Sequence, residues 1–323
     1  DDANAGDRFG RIGTVLLAPG NDAIAQSEQG VALALAYDYR GLYAHFGSTP
    51  LGFPLQTWVG GLGWQGSIGQ LSLSADLSRE LLGDSLLAHC GLEEPLTGRD
   101  WGLVTANGGR VALSLSDGPM MGYGFVAMHW MRGTGVKDNR RVMGGAGLQW
   151  TIRRDSRFGV KTGLSATLMS FTDNIRFFTE GHGGYFSPQM FTNIGVPLIV
   201  SGNKGKRLSY EIAGDVGLNW FHEDSAPYYP LDDDAQQLRD GRRDALGEPL
   251  AATYGAQNSL GVGVNARAQV TYHFSSQLVG GLRAAAHFAG DYQELVGGLF
   301  VGYGFRPGGA PAAPALPHYW ADR

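Results

Sequence analysis

The densest cluster of charged side chains runs from Phe221 to Glu248, where Asp232-Asp233-Asp234 precede Arg239, Arg242 and Arg243. Three adjacent carboxylates suit a hard cation such as Ca²⁺. The spacing of a calcium loop with a distal bidentate glutamate is absent, and aspartates interleaved with arginines suit a salt-bridged loop folded over a surface. Eight histidines are scattered along the chain: His45, His89, His129, His182, His222, His273, His287 and His318. A nucleophilic serine needs a base and an orienting third group. His287 and Ser276 fall on neighbouring predicted strands, but no motif joins them. There is no HExxH and no metal-spaced His–Cys cluster, so neither a metal nor a cofactor is expected. Cys90 is the sole cysteine, in a predicted loop with nothing beside it to activate a thiol. Gly144-Gly145-Ala146-Gly147 lies inside strand-like sequence, which is the wrong context for a nucleotide fingerprint. Catalysis is not expected of this chain.

The segment Gly181-His182-Gly183-Gly184-Tyr185-Phe186-Ser187-Pro188-Gln189 differs from these. Its glycines allow tight backbone, its proline fixes a turn and two aromatic rings sit side by side. One reading is a packed loop. The other is a mouth segment whose rings stack on sugar faces while Gln189 hydrogen-bonds hydroxyls.

The elements that would position such residues follow a period of two. From Val31 to Arg40 the residues Val31, Leu33, Leu35, Tyr37 and Tyr39 alternate with Ala32, Ala34, Ala36, Asp38 and Arg40. The same alternation recurs in Leu71–Leu77, Val111–Leu115, Leu148–Ile152, Leu208–Trp220, Leu260–Phe274 and Leu295–Phe305. A strand sends successive side chains to opposite faces. Repeated along the chain with 51 glycines and only 17 % charged residues, this predicts an all-β fold. The expected form is an antiparallel transmembrane β-barrel with apolar residues facing lipid and small polar residues facing a wet interior. No apolar run is long enough for a transmembrane helix, and the mean hydropathy of −0.14 suits such a barrel. A net charge of −5 argues against nucleic acid as a partner. Tyr37, Tyr39, Trp150, Tyr210, Trp220, Tyr272 and Tyr303 are placed to form interfacial girdles.

Connections alternate short and long. Short ones at 40–41, 65–67, 116–119, 154–156, 202–206 and 275–276 read as periplasmic turns. Long ones at 80–100, 133–140, 181–189 and 223–257 read as extracellular loops. This parity gives about fourteen strands, and a further hairpin hidden in 157–180 or 223–257 would make sixteen. Residues 1–305 form the predicted barrel. Residues 306–323, rich in Pro, Gly and Ala, form an extended tail that at ~3.1 Å per residue could reach roughly 55 Å. The chain opens DDANAG without a leader, so an exported fragment whose targeting segment has been removed is expected.

GHGGYFSPQ at 181–189 resembles a signature of the C-terminal barrel domain of the outer-membrane channel component of bacterial cellulose synthase, the BcsC family. Asp84-Ser85-Leu86-Leu87, Pro95-Leu96-Thr97-Gly98-Arg99-Asp100-Trp101-Gly102, Val136-Lys137-Asp138-Asn139-Arg140 and Tyr229-Pro230-Leu231 are similar to further stretches of that family in the same order. The resemblance spans about residues 30–323. It implies sixteen strands in preference to fourteen. It also implies a monomeric outer-membrane channel that passively conducts newly made β-1,4-glucan (cellulose) from the periplasm. The family's tetratricopeptide region, absent from this chain, would contact the periplasmic and inner-membrane synthase subunits, and the barrel would meet outer-membrane lipid and lipopolysaccharide.

A neutral sugar polymer calls for weak, distributed contacts, because a tight site would stall translocation; ion channels follow the same logic. The inward candidates are Asp38, Arg40, Asp76, Glu211, Asp215, Asn219, Asn265, Arg267, Gln269, His273, Arg283 and His287. Gate candidates are Tyr185, Phe186, Gln189, Asp232, Asp233, Asp234, Arg242 and Arg243. The alternatives are a porin exporting another exopolysaccharide, or an outer-membrane hydrolase.

Overall fold

The computed structural model describes Gly10 and residues 29–94, 96–155, 157–241, 251–289 and 292–304. The tail, Arg242, Arg243 and His318 lie outside the described residues. Strands β1 (Ala34–Tyr39), β2 (Leu42–Ser48), β3 (Trp58–Ile68) and β4 (Leu71–Leu81) lead to a short helix α1 (Leu86–Cys90) and the two-residue β5 (Leu92–Glu93). There follow β6 (Asp100–Asp117), β7 (Met120–Thr134), β8 (Asn139–Arg154), β9 (Phe158–Phe171), β10 (Met190–Lys204) and β11 (Leu208–Glu223). The chain then passes through β12 (Ala226–Pro227), α2 (Asp233–Asp240) and β13 (Thr253–Tyr254) to β14 (Gln257–His273), β15 (Leu278–Ala289) and β16 (Tyr292–Tyr303).

Fourteen of these strands share one sheet, in the order β1-β2-β3-β4-β6-β7-β8-β9-β10-β11-β14-β15-β16 with β5 alongside β6. Every pairing within it is antiparallel between neighbours in sequence, apart from the excursions through β5 and β12–β13. Sixteen strands are present among the described residues. Two of them, β12 and β13, form a separate ribbon inside a long connection. Among the described residues β1 and β16 stand at the two ends of the sheet's path.

The register carries one apolar row around the outside. Leu77, Val111, Val126, Val142, Leu168, Ile194, Leu218 and Val262 all lie more than half exposed or close to it, and Leu35 and Leu299 are each 80 % exposed. An apolar surface so extensive marks contact with lipid rather than water. The girdle aromatics Tyr37, Tyr39, Tyr272 and Tyr303 share this exposed face.

One rim of the wall has only short turns: 40–41, 69–70, 118–119, 155–157, 205–207 and 274–277. The other rim carries the longer connections 82–99, 172–189 and 224–256. Three expectations need correction. Gln65-Gly66-Ser67 is not a turn; β3 continues through it, and the chain reverses at Gly69-Gln70, where Gly69 takes φ 62°. No extra wall hairpin hides in 157–180, because 158–171 is one strand and the rest is loop. Cys90 sits not in a loop but in α1, where its Sγ bonds the Leu86 carbonyl (3.1 Å) and the residue is buried.

Candidate functional site

The inner row of the wall is polar and carries both signs of charge. Asp215 accepts from Asn265 Nδ2 (2.8 Å), Asn193 donates to Asn219 (2.6 Å), and the Arg267 guanidinium lies 3.8 Å from Glu211. Gln269 stands in register between Glu211 and Arg283, and Asn265 opposite His287. Asp76 stands opposite Arg110, whose guanidinium covers the Phe125 ring at 4.3 Å. Toward the short-turn rim a recess of about 660 Å³ is lined by Lys161, Glu211, Gln269 and His273 together with Arg153 and Arg157. Lateral pairs of this kind engage Asp215, Asn219 and Asn265 within the wall itself.

Arg40 departs from this row. With Gly41 it makes the two-residue β1–β2 turn, at φ 51° and 84°, which fits a hairpin turn with two positive φ values. Its guanidinium lies 5.2 Å above the outward Tyr39 ring, at the membrane boundary and away from the lumen. Asp38 occupies the inward side of β1, across from Tyr43.

At the other rim the inner face is covered. Inward-pointing Ala106, Ala127, His129, Met131, Met143 and Phe171 are all buried, although each belongs to a wall strand. What covers them is loop. Leu87 and Ala88 of α1, Leu92, Trp101, Val136, Ile175 and Tyr185 join Met131 and Phe171 in one apolar cluster. Helix α1 is a single turn whose start is fixed by Ser85, its Oγ accepting from Ala88 N (3.1 Å). It fits against β6 because Gly102 takes φ 108° there; a Cβ would meet the Leu87 carbonyl oxygen at 2.3 Å. A second contact of this type is Gly184, at φ 66°, where a Cβ would lie 2.7 Å from Ser85 Oγ.

Residues 172–189 are the centre of this packing. Trp101 Nε1 donates to the His182 carbonyl (3.2 Å), and His182 Nε2 donates to the Pro227 carbonyl (2.8 Å). The Phe177 ring stacks on Tyr254 at 3.5 Å, and both meet the His182 ring edge-on. Thr179 donates to the Tyr228 carbonyl (2.6 Å), tying the loop to the β12–β13 ribbon. Val136 bridges Gly181, while Lys137 pairs with Asp173 (2.9 Å) and Asn139 exchanges hydrogen bonds with the Asp173 backbone. The fully buried Glu223 is held by Arg176 (2.8 Å) and Gln257. Glu94, also fully buried, accepts from the Leu96 and Thr97 amides (3.0 and 2.6 Å), and Gly10 N donates to the Phe178 carbonyl (2.9 Å) beside it. Burial drives the His182 pKa down to about 4, so the ring is neutral. Burial also pushes the Tyr185 phenol well above its ordinary value.

Of the gate candidates, those among the described residues shape the loops and α2 in roles that differ from sugar stacking. Tyr185 is 1 % exposed, so its ring offers no face to a ligand. Phe186 wedges edge-on between inward Phe191 and Phe221, with its amide on Asp84 Oδ2 (3.0 Å). Gln189 accepts from the Asp224 amide (2.8 Å) and donates to the Ser187 carbonyl, using its amide to shape the loop. The three aspartates open α2. Asp232 caps it through Ala235 N (2.9 Å), and Asp233 and Asp234 occupy its first turn, where carboxylates are favoured by the helix dipole. Arg239, in the last turn, is buried with its guanidinium 4.6 Å above the Tyr228 ring.

Sequence reading missed the inward side chains of β6–β9. Arg110 was within reach: it extends by one step the row Ala112, Ser114, Ser116. Tyr123, Phe125, His129 and Arg141 were masked by glycines and methionines that blur the alternation in β7 and β8. Glu223 and Asn139 continue the inward rows of β11 and β8 at their long-loop ends, whereas Arg176 lies in a loop and left no periodic signal.

Fold and site together define an antiparallel β-sheet wall of the transmembrane β-barrel type, apolar outside, with an inner face that is polar toward one rim and packed under loops at the other. A family model described as Cellulose synthase operon protein C C-terminus matches residues 1–306, and the chain belongs to that family. It is 34 % identical over 317 residues to the cellulose synthase operon protein C of Pseudomonas fluorescens (strain SBW25), covering 96 % of this chain and 23 % of that protein. To the protein of the same description from Xanthomonas axonopodis pv. citri (strain 306) it is 30 % identical over 315 residues, 93 % of this chain and 21 % of that protein. The cellulose synthase 2 operon protein C of Komagataeibacter xylinus shows 33 % identity over 271 residues, 83 % of this chain and 20 % of that protein. The chain thus spans less than a quarter of the length of these curated relatives. Among solved structures, one described as a bacterial polysaccharide outer membrane secretin superposes with a TM-score of 0.47 at 12 % identity, over 85 % of this chain and 79 % of that one.

Proposed function

We propose that this chain is the outer-membrane channel through which a β-1,4-glucan leaves the cell, with the long-loop rim extracellular and the short turns periplasmic. Residues 1–305 act as the barrel and 306–323 as a periplasmic tail. The observation that carries this reading is the contrast along the inner face. Lateral pairs such as Asp215–Asn265 and Asn193–Asn219 leave a polar surface, while at the long-loop rim the inner face is covered by loops packed on Trp101 and Tyr185. A neutral polymer rich in hydroxyls can slide past such pairs through many weak contacts. The loops 172–189 and 224–256 act as the gate, and Asp38, Asp76, Glu211, Asp215, Asn219, Asn265, Arg267, Gln269, Arg283 and His287 act as the conduit lining. Passage is driven by synthesis at the inner membrane, through subunits reached by the region that precedes this domain in the longer relatives.

Planar-bilayer recordings test the reading. With the gate shortened, soluble cello-oligosaccharides should partly block the current from the periplasmic side, and acidic alginate oligomers should not. Equal or stronger block by alginate would favour export of another exopolysaccharide. Covalent labelling by a serine-directed probe would favour a hydrolase.

A further inference from the structure

The outward face changes character at the long-loop rim, on one side of the barrel. Along β4 the outward row reads Leu71, Leu73, Ala75, Leu77 and then Arg79; along β7 it ends Val126, Met128, Trp130, Arg132. On β8, Val142 is followed by Arg140. The register puts Gly60, Arg79, Asn107, Trp130 and Arg140 side by side at one level across β3, β4, β6, β7 and β8. Trp58 and Arg132 lie one step further toward the rim. Arg79 and Arg140 are three strand spacings apart, roughly 15 Å.

These arginines are presented, not buried. The Arg132 side chain is 67 % exposed, and its carboxylate neighbour, Asp138, is 3.7 Å away and itself exposed, so that contact is weak and displaceable. The Arg140 guanidinium has no hydrogen-bond or ion-pair partner among the described residues. Arg79 is held in place by the Trp58 carbonyl (3.0 Å), Asn107 Oδ1 (2.6 Å) and Thr57 Oγ1 (3.2 Å), with its guanidinium 5.0 Å above the Trp58 ring. On β9, β10, β11 and β14 the outward positions next toward this rim after Leu168, Ile194, Leu218 and Val262 are Ser170, Thr192, Trp220 and Leu260, without an arginine or lysine among them.

Resting on the outer-membrane placement proposed above, we infer that this patch is a binding site for the phosphorylated glucosamine headgroup of outer-leaflet lipid. Three guanidiniums supply charge-assisted donors for phosphate oxygens. Exposed Trp58 and Trp130 mark the level where apolar chains give way to headgroups. Rows of aliphatic side chains directly below receive the acyl chains. A site on β4–β8 alone would order lipid on one flank of the barrel.

The test measures lipid retained by the purified chain after exchange into detergent, using diphosphoryl lipid A, its dephosphorylated form and phosphatidylglycerol as competing probes. Wild-type protein should retain diphosphoryl lipid A at least about tenfold better than the dephosphorylated form. R132Q together with R140Q should remove most of that difference, and because both side chains are exposed these variants should keep the heat-modifiable gel shift of a folded barrel. K204Q with K206Q, at the opposite rim, should leave it intact. Equal retention of both lipid A forms by wild type, preference for phosphatidylglycerol, or equal losses in the two double variants would overturn the site. Insertion and conductance in lipid-A-free bilayers report separately on the channel reading, since these arginines face away from the lumen.

Discussion

The wall and the mouth of this molecule are built by different rules. On the wall, large apolar side chains such as Leu168 and Leu218 are exposed and backbone pairing to both neighbours supplies the order. At the mouth, Trp101, Tyr185 and Ile175 are as buried as in any soluble core, and side-chain hydrogen bonds replace the ladder. The wall tolerates shape change and rejects charge. The mouth tolerates neither, and a loop cluster that needs close packing can be released as a unit, which suits a gate.

The contrast can be broken at its strongest point by Trp101→Ala. Removing a buried tryptophan that also anchors the His182 carbonyl should destabilise the mouth by about 3–5 kcal/mol. Protease cleavage within 172–189 should rise sharply while the wall stays heat-modifiable on gels. Next comes charge on the wall: Leu164→Arg, at a half-exposed site in the middle of β9, should cost about 2–4 kcal/mol of membrane stability. Leu164→Val should change little, as a hydrophobic swap toward lipid does; urea unfolding in liposomes distinguishes them.

Acid should loosen the mouth through His182. Freed from its site His182 titrates near 6.5, and packed it titrates near 4. The packed state therefore binds fewer protons between those values. Its stability is complete above about pH 6.5 and declines as the pH falls toward 4, by up to about 1.4 kcal/mol per pH unit. Open probability should climb over that window in bilayers, and His182→Gln, which keeps a donor for Pro227, should flatten the response. An unchanged pH profile in that variant would remove His182 from the gate. The smallest effect belongs to the lining: Asp215→Asn should weaken cation preference in reversal-potential measurements and leave stability within about 0.5 kcal/mol.

The wall was readable in advance because lipid on one side and water on the other impose a period of two, visible from Val31 to Tyr39 and again from Leu260 to Phe274. Arg40 was read both as the first residue of the 40–41 turn and, by alternation, as an inward lining residue; the turn forms, and it takes Arg40 out of the row. The mouth was not readable in this way. The 181–189 segment drew notice through its glycines and aromatics, yet pattern alone left open whether Tyr185 faced sugar or packing. That was decided by Ile175, Trp101 and α1, which reach it from distant parts of the chain. Asp232–Asp234 likewise read as part of a salt-bridged surface loop, in preference to a cation site, and instead begin a helix, a local choice set by the Ala235 amide.

The most direct test of a closed mouth over an open conduit is single-channel conductance of the chain as it stands against a variant in which 175–186 is replaced by a short Gly-Ser linker. If the packed loops close the lumen, the intact chain should show near-zero baseline current with rare openings. The linker variant should then show a large, steady conductance that cello-oligosaccharides partly block. Identical currents from the two proteins would contradict it.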